Sequence, residues 1–277
     1  MADPTATAER AARFRALHTP GTPLLMPNAW DIGSAALFAA LGFDAIATTS
    51  GGFAATRARL DGAMTKEEVL THSGELAGAV DIPVSGDLEN CFADDPEGVA
   101  ATITAAIDVG LAGGSVEDFT GDRNAPMYEL AEAAERVRAA AEAAHGGPVP
   151  FVLTARAENY LHGHKDLADT IARLQAFQAA GADVLYAPGL TSLADIRQVV
   201  GAVDRPVNVL AMPGVPPVAE LAEAGVSRVS VGGALAFAAL SSIADAAIEL
   251  RDQGTYGYLA GSAAGRRAAA SAAGGDA

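Results

Sequence analysis

Residues 179–186 read Ala-Ala-Gly-Ala-Asp-Val-Leu-Tyr (AAGADVLY). A helix-periodic stretch ends there, a single glycine follows, and an apolar run begins. Glycine just past the last periodic residue is a helix C-cap, because it adopts a left-handed backbone without penalty. The same phrase returns as ALGFDAI (40–46), DVGLAGGSV (108–116) and EAGVSRVS (223–230). Helix, glycine, strand, repeated along a chain, is the output of βα units.

Reading outward from these copies gives eight strand candidates: 22–30, 43–50, 82–89, 112–118, 150–158, 182–189, 205–212 and 226–233. Helical patterns lie between them, including 65–80, where Thr65 and Glu68 form a capping box. Eight such units predict an α/β fold, a (β/α)8 TIM barrel, with a doubly wound open sheet as the runner-up. No G-x-G-x-x-G follows an early strand, which removes the commonest dinucleotide-binding version of that runner-up. The chain of 277 residues is read as one barrel domain, residues 1–277, with its core at about 20–250. Residues 251–277 form an Ala/Gly-rich C-terminal segment, either a helix or partly disordered.

Half the residues are apolar, so a large core can form, and the formal net charge is −16. That balance argues against a nucleic-acid or anionic-membrane surface. No stretch is long and apolar enough for a transmembrane helix, and no signal-peptide layout opens the chain. A single cysteine excludes an intrachain disulfide and favours a reducing compartment, so the expectation is cytoplasmic.

In a barrel of this kind, polar residues at the C-terminal ends of strands face the active site. They include Trp30, Ser50, Asp87, Glu89, Glu117, Asp118, Arg156, Glu158 and Asn208. Asp87 and Glu89 lie two apart, which on a strand aims both to one side. With Glu117 they would make an all-oxygen cluster suited to Mg2+, with Mn2+ as the alternative. The competing reading is acids that cap helices or pair with basic side chains. Glu117 and Asp118 cannot both point inward from a regular strand. Arg156 offers a planar fork for a carboxylate, or a salt bridge to Glu158 or Glu117. His162 and His164 have spacing that could bind metal, move a proton or be incidental. Cys91 reads as a buried bystander, with nucleophile the lesser alternative, since no neighbouring histidine activates it.

Several stretches together resemble the isocitrate lyase/phosphoenolpyruvate mutase family, in its small-subunit branch. They are LLMPNAWDIGSAALFAALGFDAIATTSGG (24–52), LDG (60–62), DIPVSGDLEN (81–90), GGSVED (113–118), FVLTARAENYL (151–161), AGADVLYAPG (180–189), RPVNVLAMPG (205–214) and VSRVSVGG (226–233). The branch is carboxyphosphonoenolpyruvate phosphonomutase-like or methylisocitrate lyase-like. The resemblance implies a barrel with an exchanged C-terminal helix, a Mg2+ site and a homo-oligomer, the tetramer favoured. It assigns Asp87, Glu89 and Glu117 to the metal, Asp61 to the vicinity of its waters, and Arg156 to the anionic substrate. Trp30, Ser50, Gly51, Gly52 and Asn208 fall in the substrate-binding region. The loop after the "ED" strand departs from the family: VEDFTGDRNAPMY has neither the lyases' cysteine nor their lysines, and Arg123 and Asn124 stand where the mutases carry a lysine and an Asn-Ser pair.

The implied activity is cleavage of a C–C bond in a small 2-oxo or 2-hydroxy carboxylic acid through an enolate-type intermediate. Arg156, Glu158, Asp61 and Arg123 are the catalytic candidates. The alternatives are a phosphonomutase or phosphonopyruvate hydrolase acting on a P–C bond, and a non-catalytic small-acid binding protein. The expected partner is a small anionic carboxylate or phosphonate.

Overall fold

A computed structural model describes residues 3–274 of the chain; residues 1–2 and 275–277, part of the predicted domain span, lie outside the described residues. Its strands are β1 (Leu24–Met26), β2 (Asn28–Ala29), β3 (Ile46–Thr48), β4 (Val84–Asp87), β5 (Gly113–Glu117), β6 (Val152–Arg156), β7 (Val184–Tyr186), β8 (Val207–Leu210) and β9 (Arg228–Ser230). All pair in parallel, in the order β1-β9-β8-β7-β6-β5-β4-β3-β2. Since β1 and β2 are consecutive pieces of one segment, the sheet closes into an α/β barrel.

The first predicted strand is thus two strands, and Pro27 is the reason. Proline has no N–H to give to a ladder. Upstream of it β1 pairs with β9, and downstream β2 pairs with β3, while the Pro27 carbonyl still accepts from Ala47 N at 3.0 Å.

The helices are α1 (Pro4–Ala16), α2 (Ile32–Ala40), α3 (Ser50–Thr56), α4 (Lys66–Ala79), α5 (Pro96–Asp108) and α6 (Leu130–His145). They continue with α7 (Leu167–Ala179), α8 (Leu193–Ala202), α9 (Val218–Glu223), α10 (Ala234–Gln253) and α11 (Ser262–Ala272). The four repeat glycines, Gly42, Gly110, Gly181 and Gly225, have φ of 85°, 98°, 108° and 86°. Each therefore takes the left-handed turn that ends its helix. The Thr65–Glu68 capping box forms at the start of α4.

The short helix α3 is absent from the periodicity reading because it begins where a strand is expected to finish. Thr49 caps it, its side chain accepting from Gly52 N. Helix α1 closes the N-terminal end of the barrel. Its Phe14 is fully buried and packs so tightly on β5 that a Cβ at Gly113 would stand 2.8 Å from the ring.

Helix α10 follows β9, yet its large apolar side chains, Phe237, Leu240, Ile243, Ile248 and Leu250 among them, are exposed. Beyond it the chain turns through a short 3-10 segment, and α11 packs on α2. No helix among the described residues is long and apolar enough to cross a membrane.

Candidate active site

At the C-terminal ends of the strands the barrel opens into a cavity of about 170 Å³, small beside the roughly 300–1,000 Å³ of pockets for drug-sized ligands. Of the residues named from the sequence, Ser50, Gly51, Asp61, Asp87, Arg156 and Asn208 line it, whereas Glu89 and Glu117, expected with Asp87 at a metal, do not. Tyr186, Arg228, Ser230 and Phe237 also line it, and that reading does not single them out.

Arg156, the last residue of β6, organises the rim. Its Nη1 donates to Asp87 Oδ1 at 2.8 Å, its Nη2 lies 3.1 Å from Glu117 Oε2, and its Nε donates to Glu158 Oε1 at 2.7 Å. Burial works against the guanidinium's charge. The carboxylates of Glu158, Glu117 and Asp87 more than offset that, so its pKa is held above the ordinary arginine value. The salt-bridge reading of Arg156 is thus realised with both expected partners and a third. Burial, with Glu158, Asp87 and Glu89 nearby, raises the pKa of Glu117 well above normal in spite of Arg156. Asp87 is fixed from two further sides: Ser50 N donates to its Oδ2 at 3.0 Å, and its own N–H donates to Thr48 Oγ1 at 2.8 Å.

Glu89 reaches the site by a route other than strand alternation. Strand β4 stops at Asp87, and Glu89 sits at φ 50°, with Cys91 at 61° and Phe92 at 56°. Left-handed backbone at three non-glycine residues in a span of four stores strain. Arg136 of α6, almost wholly buried, holds it. That side chain donates to the carbonyls of Asn90 at 2.6 Å, Ala93 at 2.8 Å and Glu117 at 3.2 Å, and its guanidinium lies 3.9 Å over the Tyr128 ring. Glu117 N donates to the Glu89 carbonyl at 3.1 Å, which locks the two strand ends together. Burial, then Asp87 and Asp61, push Glu89 up to about 7. Its Oε1 is buried without a hydrogen-bond partner.

The other expected site residues disperse. Asp118 points away from the cavity, accepting from Glu158 N at 2.8 Å and pairing with Arg173 of α7 at 3.0 Å. Glu158 stands behind Arg156, nearly fully buried and outside the cavity lining. Trp30 and Gly52 pack against each other beside the lining, Trp30 also meeting Phe38 edge-on. Arg123 is exposed on the loop after β5 and does not line the cavity, and Asn124 bonds within that loop to Asp122. His162 stacks on Phe119 at 3.9 Å. Cys91 is fully buried, and burial pushes its thiol up to about 12.

Among the described residues no three acidic, histidine or cysteine side chains form a ready-made metal cage. The guanidinium of Arg156 takes up Asp87 Oδ1 and Glu117 Oε2. The donor chemistry nevertheless fits a hard divalent cation. Asp87, Glu117 and Glu158 pair with one rim arginine, Asp61 lines the same cavity, and Glu89, near enough to Asp87 and Asp61 to feel their charge, keeps one buried oxygen without a hydrogen-bond partner. The fit lies on the Asp87–Glu89 side, away from Glu158.

A family model described as phosphoenolpyruvate phosphomutase matches residues 14–251. The chain is 50% identical to a crystal structure from Burkholderia cenocepacia J2315 described as a "putative lyase/mutase", with a TM-score of 0.89 and 92% of each chain covered. It is 31% identical to 2-methylisocitrate lyase of Escherichia coli (strain K12), over 70% of this chain and 67% of that one. It is also 32% identical to an uncharacterized protein of Mycobacterium tuberculosis (strain ATCC 25618 / H37Rv), over 86% of this chain and 89% of that one.

Proposed function

The chain belongs to the isocitrate lyase/phosphoenolpyruvate mutase superfamily, and from that premise we propose a Mg2+-dependent lyase that breaks a C–C bond in a small 2-oxo or 2-hydroxy carboxylic acid through an enolate-type intermediate. One observation carries the reading: Asp61, Asp87 and Arg156 line one small cavity at the strand ends, and Glu89 lies near enough to Asp87 and Asp61 for their charge to raise it. Asp87 and Glu89 would hold the ion, with Asp61 and Glu117 as supporting carboxylates. When bound, a divalent ion supplies Lewis-acid stabilisation of negative charge that develops on oxygen as the bond breaks.

The chain's own groups do the rest. Ser50 and Gly51, at the start of α3, form the wall against which the acid's oxygens rest. Arg156 keeps the carboxylates of Asp87, Glu117 and Glu158 in fixed orientation, and Glu158 positions Arg156 from behind. The hydroxyl of Tyr186 lines the same cavity, and burial raises it to about 12, so it stays protonated and available as a donor. Arg123, on its exposed loop, can reach the ligand only if that loop moves inward. The exposed apolar side of α10 supports a homo-oligomeric enzyme.

The matched family's description favours a second reading, chemistry on a P–C bond. Incubation with oxaloacetate, 2-methylisocitrate and phosphonopyruvate, with Mg2+ or with EDTA, separates the two. The expected result is C–C cleavage that EDTA abolishes and that Asp87→Ala lowers by about a hundredfold or more. Turnover of phosphonopyruvate alone supports the P–C reading, and tight binding without any turnover supports a binding protein.

A further inference from the structure

Helix α3 forms a wall of the cavity and is too short to hold itself there. Ser50 and Gly51 line the cavity, and Ser50 N donates to Asp87. The helix is seven residues long, SGGFAAT, and an isolated helix of that length does not persist in water. Packing must therefore hold it. Phe53, its one large apolar side chain, is buried and does not line the cavity. The Phe53 ring lies flat on the imidazole of His72 in α4, with centroids 3.8 Å apart and planes 6° from parallel.

After α3 the chain runs exposed from Arg57 to Ala63 and brings Asp61 to the cavity. Asp61 closes back on α3: a Cβ at Gly51 would stand 3.2 Å from its Oδ2. Arg59 ties this stretch to α4, its Nη1 donating to both oxygens of Glu68 at 3.0 and 2.9 Å. That pair is open to solvent, and an ion pair in water contributes little. The buried stack is the firmer tie between α3 and α4, since aromatic faces in contact favour a defined separation and tilt.

His72 is 6% exposed, and its Nε2 has no hydrogen-bond partner. Burial, then the charge of Arg57, lower its pKa to about 4, so at neutral pH the ring stacks without a charge to be solvated. Arg57 itself sits over the Phe53 ring, its guanidinium carbon 5.5 Å from the ring centre. No residue of α4 lines the cavity, so His72 can act there only through α3.

We propose that His72 is a positioning residue: through Phe53 it seats α3, and so fixes the Ser50 N–H against Asp87 and the Gly51 backbone against Asp61. The inference rests on the reading of this cavity as a substrate site, and it adds a determinant that lies outside the cavity.

Amide hydrogen exchange tests this on wild type, His72→Ala and His72→Phe. The Ala variant is expected to lose about tenfold or more of the protection at Ser50–Thr56, while the strands β5 to β8 keep theirs. The Phe variant keeps a flat ring on Phe53 and should restore that protection. Turnover of oxaloacetate with Mg2+ is assayed alongside. Its KM should rise by about tenfold in the Ala variant with a smaller fall in kcat, and the Phe variant should recover both. His72→Leu fills the space without a flat face, and it serves if the Ala variant does not fold. The proposal is overturned if Ser50–Thr56 stays protected in the Ala or Leu variant, if protection falls equally across the barrel, or if the Phe variant behaves as the Ala variant does. An unchanged KM overturns it too. Because exchange is read without substrate, it decides the role of His72 even where oxaloacetate is not turned over, and the lyase assignment fails or stands separately.

Discussion

Asp87 shows how a single side chain is fixed at this rim. Arg156, the Ser50 N–H and the Thr48 hydroxyl each constrain it. Its place, with that of Arg156, was legible from strand ends alone, because residues at the end of a parallel strand face the barrel mouth; Asn208, expected at such an end, is instead the second residue of β8. Glu89 was legible only in outcome: it joins the acids through a left-handed turn, which no alternation rule describes. Arg228 carried a signal that went unread, a charged residue inside the apolar VSRVSVGG run, two before the inward-facing Ser230. Its neighbour His18 yields a pH prediction. Burial, then the charge of Arg228, lower its pKa to about 3. In the unfolded chain it titrates near 6.5, so above that pH it is neutral in both states and costs nothing. Below it the unfolded chain takes up a proton that the folded protein refuses, and stability falls as pH drops from about 6.5 toward 3. Glu89 and Asp118, each raised to about 7, act in the opposite direction over part of this window. The measurement is therefore a difference. The stability of wild type minus that of His18→Gln, from urea midpoints, should fall by about 1.4 kcal/mol per pH unit below 6.5. A pH-independent difference would show that His18 takes up its proton in the folded state.

At the scale of elements, the turn after β4 and the end of β5 behave as one unit because Arg136 binds both. The helix pattern at 127–144 announced α6 but not that one of its arginines would be buried under the site. That position is set by the partners, three backbone carbonyls and the Tyr128 ring, and a sequence does not reveal where a neighbouring turn leaves its carbonyls. The same limit explains α3, whose start depends on Thr49 reaching back to Gly52, and the split first strand, where Pro27 changes the ladder partner. The repeat glycines, by contrast, act locally, so the alternation of helices and strands was readable apart from α3 and the split first strand. Arg136→Met removes three hydrogen bonds and strands their acceptors. The expected loss is about 3 kcal/mol or more of folding stability, measured by chemical denaturation. Since the turn also carries Glu89, turnover should fall even at temperatures where the variant is fully folded. Unchanged activity in the folded variant would show that the turn keeps its shape without the arginine.

For the whole molecule the unresolved balance is between a highly charged surface and one apolar helix. A net charge of −16 keeps copies apart, yet α10 exposes Phe237 at 52%, Leu240 at 46% and Ile243 at 64%, with Ile248 and Leu250 further along. A run of that size on an isolated protein is unfavourable in water, which is the basis for the proposed homo-oligomer. The first turn of the same helix belongs to the cavity, since Gly233 and Phe237 line it. The proposed assembly would therefore be joined to the site through one element. Light scattering on wild type should give a homo-oligomer, with the tetramer the favoured size. The double variant Leu240→Asp, Ile243→Asp places two like charges on the exposed stretch without touching a cavity residue. It should shift the mass toward the monomer while the circular dichroism of the barrel is preserved. If α10 needs its neighbour to hold Phe237 at the cavity, turnover should fall in step with dissociation as protein concentration is lowered. A wild-type protein that is monomeric at micromolar concentration would overturn this, and would leave the apolar face of α10 without a partner.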